Sequence, residues 1–213
     1  MLRYLTARDL PRHPRLAHTM FRDRAVQFRD RLGWPVTVDD AGEERDDYDA
    51  CDPLYILWED PGGRHGGSLR FLPMTGRTMV AEHFAGVADL SGLDRAAIWE
   101  CTRFCLAPGA SGRVAAALML AGGECMRAFG VRHFLGVFDR RMSRVYRAIG
   151  SEPRVLGWSG AGRDRIGVGL WSFDPAQRAR LLARSGLSSE LSERWFARSF
   201  GFPVTAAPRP AAA

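Results

Sequence analysis

The sequence contains no lysine: all 30 positions in the Lys-plus-Arg count are arginine, set against 24 acidic residues for a net charge of +6. This absence reads as compositional bias and carries no chemistry of its own. Cysteine is sparse, at Cys51, Cys101, Cys105 and Cys125, with no C-x-x-C pair, and the five histidines are scattered. A zinc centre calls for closely spaced ligand pairs, so no metal site is expected. The thiols read instead as small buried side chains in a reducing compartment. No run of about 18 apolar residues occurs, so no membrane span is expected. The opening Met1-Leu2-Arg3-Tyr4-Leu5 meets charged residues at once and lacks the apolar core of a secretory signal, which points to the cytoplasm. The positive balance suits nucleic acid, an anionic membrane or an acidic protein. No basic tract with interleaved aromatics and no helix-turn-helix is found, so nucleic acid is not expected as a partner.

What is present is an ordinary globular composition, 46% hydrophobic and 25% charged over 213 residues. That length fits one α/β domain, which at this size buries roughly 70% of its extended-chain surface. The expected domain is 1–202, with 203–213 a Pro/Ala-rich disordered tail. Arginine crowds residues 1–38, and an acidic block follows from Asp39 to Asp52. Apolar spacing from Leu16 to Leu32 predicts a helix over 9–32, ended by Gly33. Strands are expected at 54–58 and 67–72 across the turn Asp60-Pro61-Gly62-Gly63, and again from 96 or 97 to 106. A buried helix over 113–129, a strand over 131–138 and an amphipathic helix over 140–149 come next. Strands at 154–158 and 165–173 and helices at 175–184 and 188–198 complete the pattern. This order predicts an α/β fold, a mixed sandwich around one twisted sheet flanked by helices.

An ordered series of residues carries a more specific signal. Arg24, Phe28 and Trp34 are followed by Glu44-Arg45-Asp46-Asp47-Tyr48-Asp49, then Leu69-Arg70-Phe71-Leu72-Pro73-Met74-Thr75-Gly76, Phe84, and Trp99-Glu100-Cys101-Thr102-Arg103-Phe104. In order and spacing the series resembles the LuxI-type acyl-homoserine-lactone synthases, over roughly residues 1–175. The resemblance implies a fold similar to the GNAT acyltransferases. It also implies an enzyme that joins S-adenosylmethionine to an acyl group carried on acyl-carrier protein, releasing methylthioadenosine. S-adenosylmethionine is then a substrate, and no cofactor or metal is implied.

In that reaction the α-amine attacks a thioester and must lose a proton, for which a carboxylate is the natural base. Glu100 and then Asp46 match the family's acidic positions, each with the alternative of a structural ion pair with Arg103, Arg24 or Arg70. Glu44 and Asp49 are expected to be scaffold, and Arg70 to bridge the acidic block. Phe28, Trp34 and Phe84 suit the walls of a pocket for a sulfonium and an adenine. Arg24 and Arg103 suit a bidentate hold on the substrate carboxylate. An ideal strand would point Glu100 and Arg103 to opposite faces, so an irregularity is expected between Cys101 and Phe104. The acyl chain is expected beside 114–129 and 131–138, with Met126, Gly136 and Phe138 in its pocket. Gly136 stands where a threonine accompanies 3-oxo chains in the family, implying a chain unsubstituted at C3, and the small residues Ala115, Ala116, Ala117, Ala121, Gly122 and Gly123 leave room for a medium or long one. Arg140, Arg141, Arg144 and Arg147 are expected to form the docking face for the acidic carrier protein.

Two other readings compete with this one. A GNAT enzyme using acyl-CoA on another amine would carry an R-x-x-G-x-G/A loop as a pyrophosphate cradle. The matching stretch here, Leu106 to Arg113, lacks that spacing. A non-catalytic regulator of the same fold would show a broken site, and the polar positions above are intact.

Overall fold

The computed structural model describes residues 1–162 and 165–203. Seven strands form one sheet: β1 (Leu2–Thr6), β2 (Leu54–Glu59), β3 (His65–Pro73), β4 (Ile98–Leu106), β5 (His133–Asp139), β6 (Arg154–Ser159) and β7 (Ile166–Trp171). Their order is β1-β2-β3-β4-β5-β7-β6, with β4 and β5 parallel and every other neighbour antiparallel. The helices are α1 (Pro14–Ala25), α2 (Met79–His83), α3 (Gly112–Phe129), α4 (Met142–Ile149), α5 (Pro175–Ser185) and α6 (Ser189–Phe200). The sandwich expected from the element order is thus the fold observed.

Strand alternation sorts the core into two layers. On β2, Ile56 faces α3 with Leu69 and Phe71 of β3, and α3 contributes an almost unbroken buried surface from Val114 to Met126. Tyr55 and Leu57 face the opposite way and pack on Leu16, Met20 and Phe21 of α1. The same alternation turns Arg70 away from α3, into the layer beneath α1, where it meets Thr102 on β4.

The expected helix over 9–32 is shorter and composite. Pro14 starts α1, its fixed φ suiting a first-turn position. Beyond Ala25 the coil widens into a π turn over Val26–Arg31, where the Leu32 N–H bonds back to the Gln27 carbonyl at 3.2 Å. The strand β1 and the five-residue helix α2 were not expected. The tail, as far as it lies beyond Pro203, falls outside the described residues. Among the described residues no helix is long and apolar enough to cross a membrane.

Candidate active site

The parallel pair β4–β5 holds together only from Ile98/His133 to Cys101/Gly136. Past that point β4 stays with β3 and β5 stays with β7, so the sheet splits. Into the split opens a cavity of about 500 Å³. Its deep end is apolar, with Met119, Phe134, Phe138, Tyr146 and Trp171. Its mouth carries Phe28 and Trp34, whose rings stack at 5.3 Å and 15°, together with Phe84 and Arg103. The π turn holds Phe28, and the Trp34 N–H bonds its carbonyl at 2.8 Å, which brings the two rings together.

The expected irregularity in β4 is present. Ser68 pairs with Cys105 and Arg70 with Thr102, so Arg103 and Phe104 together oppose Leu69 alone. Arg103 takes φ +51°, the left-handed region that a branched or long side chain enters only under constraint. The bulge brings the Arg103 side chain to the same side as Glu100 and Thr102.

There it joins a network of three guanidiniums and three carboxylates. Arg24 donates to Glu44 at 2.5 Å and to both oxygens of Asp49 at 3.0 and 2.9 Å. Arg70 grips Asp46 in a fork at 2.5 and 2.9 Å, reaches Asp49 at 2.7 Å, and donates to Thr102 at 3.0 Å. Arg103 closes the circuit on Glu44 and Asp46, each at 2.8 Å. Three positive and three negative groups cancel, which makes burial of the cluster tolerable. Burial pushes the Asp49 carboxyl up, but the Arg24 and Arg70 guanidiniums outweigh it and hold the group well below the usual carboxylate range. Asp46 is lowered in the same way, burial being overcome by Arg70 and then Arg103. The spacing of the acidic block has a local cause as well. Asp46 and Asp49 form a reciprocal capping box around the 3-10 turn Asp47–Ala50.

Three of the site residues expected to meet substrate line none of the cavities described. Arg24 is 1% exposed and each of its three side-chain nitrogens donates to Glu44 or Asp49, so in this structure it stands as a strut beneath the site where a fork for a substrate carboxylate was expected. Glu100 opens onto neither of the cavities beside it. One carboxylate oxygen accepts the Met79 N–H at 2.9 Å and the other the Val80 N–H at 2.6 Å, so both cap α2. Burial raises its pKa, opposed by those two backbone bonds. Met126 packs in the core behind the cavity, which Met119 lines in its place. Gly136 and Phe138 line the cavity, Glu44, Asp46 and Arg103 border its ionic neighbour, and Asp49 and Arg70 pair with each other beneath it.

That ionic neighbour, a cavity of about 760 Å³, was not foreseen. Tyr48, Arg77 and Glu82 form one wall: Tyr48 donates to Glu82 at 2.8 Å, and Arg77 forks onto Glu82 at 2.8 and 3.0 Å. With those two donors the Glu82 carboxyl is held down at about 2. The basic face also takes shape, since Arg140, Arg141, Arg144 and Arg147 line one open groove with Trp158 and Glu152. Arg147 is paired with Glu152 at 3.0 Å. Elsewhere, Ser68 Oγ lies 3.0 Å from His65 Nε2, and His65 Nδ1 lies 2.7 Å from Asp23. This is the order of a hydrolytic triad, but Ser68 is 2% exposed and lines none of the cavities described, so the chain satisfies buried polar groups under α1.

A sheet split around an apolar cavity, with an ionic pocket at its mouth, defines an acyltransferase-like site. The autoinducer synthase family model matches residues 9–181, and the chain belongs to that family. An acyl-homoserine-lactone synthase of Rhizobium etli is 43% identical over 200 residues, covering 91% of this chain and 93% of that protein. Among solved structures, TofI in a ternary complex with an inhibitor and MTA superposes with a TM-score of 0.70 at 29% identity, over 90% of this chain and 99% of TofI. BjaI, described as a CoA-dependent acyl-homoserine lactone synthase with SAM and isopentyl-CoA, gives 0.77 at 22%, over 89% and 90%. The fold alone extends to an N-acetyltransferase of Lactobacillus plantarum, at 0.54 and 14%, over 81% and 99%. The chain is an acyl-homoserine-lactone synthase, an acyltransferase of autoinducer synthesis.

Proposed function

We propose that the enzyme acylates the α-amine of S-adenosylmethionine with a medium or long acyl chain, unsubstituted at C3 and delivered on acyl-carrier protein. The observation that carries this reading is the junction of two unlike cavities at Met79, His83 and Arg103. An acyl tail fits the apolar arm in the sheet split, and a charged amino acid head fits the ionic arm. The stacked Phe28–Trp34 pair offers π faces to the sulfonium and the adenine. Arg103, with Phe28 5.2 Å from its guanidinium carbon, is the cation at the junction that can meet the substrate carboxylate.

The chemistry runs in two steps. The neutral amine attacks the thioester carbon, a C–N bond forms, and the C–S bond breaks with the thiol leaving. The carboxylate then attacks its own γ-carbon, closing the lactone and expelling methylthioadenosine. The sulfonium supplies the leaving group, so the reaction as proposed uses no metal or redox cofactor. Glu100 contributes by fixing α2, and with it Phe84, at the mouth of the cavity.

Gly136 supports the plain acyl chain. A Cβ there would lie 3.1 Å from the Cys101 carbonyl and 3.2 Å from Trp171, so a side chain bearing a hydroxyl would require these neighbours to shift, and glycine itself offers no hydroxyl to a C3 oxygen. The groove of Arg140, Arg144 and neighbouring arginines supports an acidic carrier protein as the donor. CoA is the second reading, favoured by the two CoA-dependent synthases of the same fold. Initial rates with matched acyl-carrier-protein and acyl-CoA donors test this. A higher kcat/KM for the carrier protein, falling steeply with salt, is expected, and a higher value for CoA would overturn the donor assignment.

A further inference from the structure

Phe84 stands at the mouth of the apolar cavity, and the chain from 84 to 94 contains neither helix nor strand. A side chain on such a stretch keeps its place only through what holds the backbone on either side. On the N-terminal side the hold is Glu100, whose carboxylate takes the Met79 and Val80 N–H groups. The Phe84 N–H then bonds the Val80 carbonyl at 3.0 Å. On the C-terminal side the Val87 N–H bonds the Phe84 carbonyl at 2.9 Å, and the Val87 carbonyl lies against Gly157 of β6, the far edge of the sheet.

Only a glycine permits that approach. A Cβ at Gly157 would lie 1.9 Å from the Val87 oxygen, 3.0 Å from its carbonyl carbon and 3.5 Å from the Ala88 Cα. These are backbone atoms, which cannot swing aside without taking their chain with them. Gly157 is not in the left-handed region, so the glycine supplies space for a second backbone and not conformational freedom. The strand is bulged there: Val155 pairs with Gly169 and Gly157 with Val168, which leaves Leu156 as the extra residue. Gly157 thereby shares the face of Val168, on which Phe84, Val87, Leu90 and Leu93 pack.

We infer that Gly157 is a positioning residue of this enzyme: by admitting the Val87 carbonyl against β6 it fixes Phe84 at the mouth of the cavity. It touches no substrate and acts through the Phe84 ring. Glu100 and Gly157 thus bracket that ring, one before it in the chain and one after. To reach ordinary contact, an alanine at 157 has to drive the Val87 peptide off the strand by more than about 1 Å. A misplacement of that size at a substrate wall costs up to about 100-fold in rate. The kinetic consequence rests on S-adenosylmethionine being the acceptor at this mouth, whereas the hold on the segment does not.

The test uses the full chain as wild type, Gly157→Ala, Phe84→Ala, the double variant of these two, and Leu181→Ala as a core variant away from the mouth. Thermal melts establish folding, and hydrogen exchange reads the backbone without substrate. In Gly157→Ala the Phe84 and Val87 amides should exchange about tenfold faster or more, beyond the uniform rise expected of Leu181→Ala. KM for S-adenosylmethionine should rise about tenfold or more with kcat within about threefold, while Leu181→Ala melts lower and keeps its KM. On the Phe84→Ala background, Gly157→Ala should add less than about twofold, because its effect passes through that ring. If Gly157→Ala does not fold, Val87→Ala loosens the same contact from the other side and should raise KM about threefold. A wild type that makes no lactone would sink the substrate reading, and the exchange rates would still decide whether Gly157 holds the segment. A folded Gly157→Ala that exchanges like wild type, that exchanges faster with an unchanged KM, or whose effect adds in full to Phe84→Ala would overturn the proposal.

Discussion

Arg24 shows how residue type and residue role part company. That arginines pair with the acidic block was legible in the sequence, because the block and Arg24, Arg70 and Arg103 stand in a recognisable order. Which of the arginines faces substrate was not legible, since that depends on the bulge at Arg103 and on Asp49 reaching across from its capping box. Removing Arg24 would leave Glu44 to Arg103 and Asp49 to Arg70, three carboxylates against two guanidiniums in a buried site. Arg24→Ala is therefore expected to cost about 3–5 kcal/mol, measurable as a lowered urea midpoint. Acid should act on the same cluster. A carboxyl whose folded pKa is depressed adds stability above its unfolded value and loses it as the pH falls through the folded value. For Asp46 and Asp49 that window lies below about pH 4, so urea midpoints measured from pH 6 downward should hold and then drop there. Asp49→Asn should start lower and show a shallower acid drop. An equally steep drop would mean that other carboxyls govern it.

At the scale of elements, most of the periodic segments were readable to within a residue or two, the helix expected over 9–32 being the exception. The α3 helix, capped by Ser111 and ended by Gly130 at φ +67°, was read as 113–129 against 112–129 observed. The short elements were hidden for physical reasons. β1 has only five residues and draws its partners from Leu54 to Trp58, far along the chain. α2 starts where a distant side chain, Glu100, satisfies its first N–H groups, so no local cap announces it. The π turn reads as ordinary helix because only a backbone shift to i−5 distinguishes it. Within β5, Gly136 is wedged between the Cys101 carbonyl and Trp171. Gly136→Thr should therefore cost about 1–3 kcal/mol, visible as a lowered melting temperature. By pushing on Trp171 it should also shift the products toward shorter acyl chains, and an unchanged product profile would show that this wall does not measure the chain.

For the whole molecule, the arginine excess resolves into two uses. Part of it is neutralised inside the scaffold, and part lies in the groove of Arg140, Arg141, Arg144 and Arg147 at the far end of the split sheet. The sequence disclosed the second group because four arginines recur along one short segment. It could not disclose the ionic cavity, which is assembled from four separate stretches around Val36, Tyr48, Glu82 and Arg103. If the groove receives an acidic carrier, Arg140→Glu with Arg144→Glu should raise KM for the carrier-borne donor about tenfold or more while leaving kcat and turnover of acyl-CoA nearly unchanged. Equal effects on both donors would place the groove on the pantetheine path instead of the protein interface.

The measurement that tests the central claim most directly is mass spectrometry of the purified enzyme with S-adenosylmethionine and a panel of acyl-carrier-protein and acyl-CoA thioesters. The account predicts an acyl-homoserine lactone and methylthioadenosine appearing together in equal amounts, with a donor unsubstituted at C3 preferred. Acyl transfer to some other amine, with S-adenosylmethionine left intact, would contradict it.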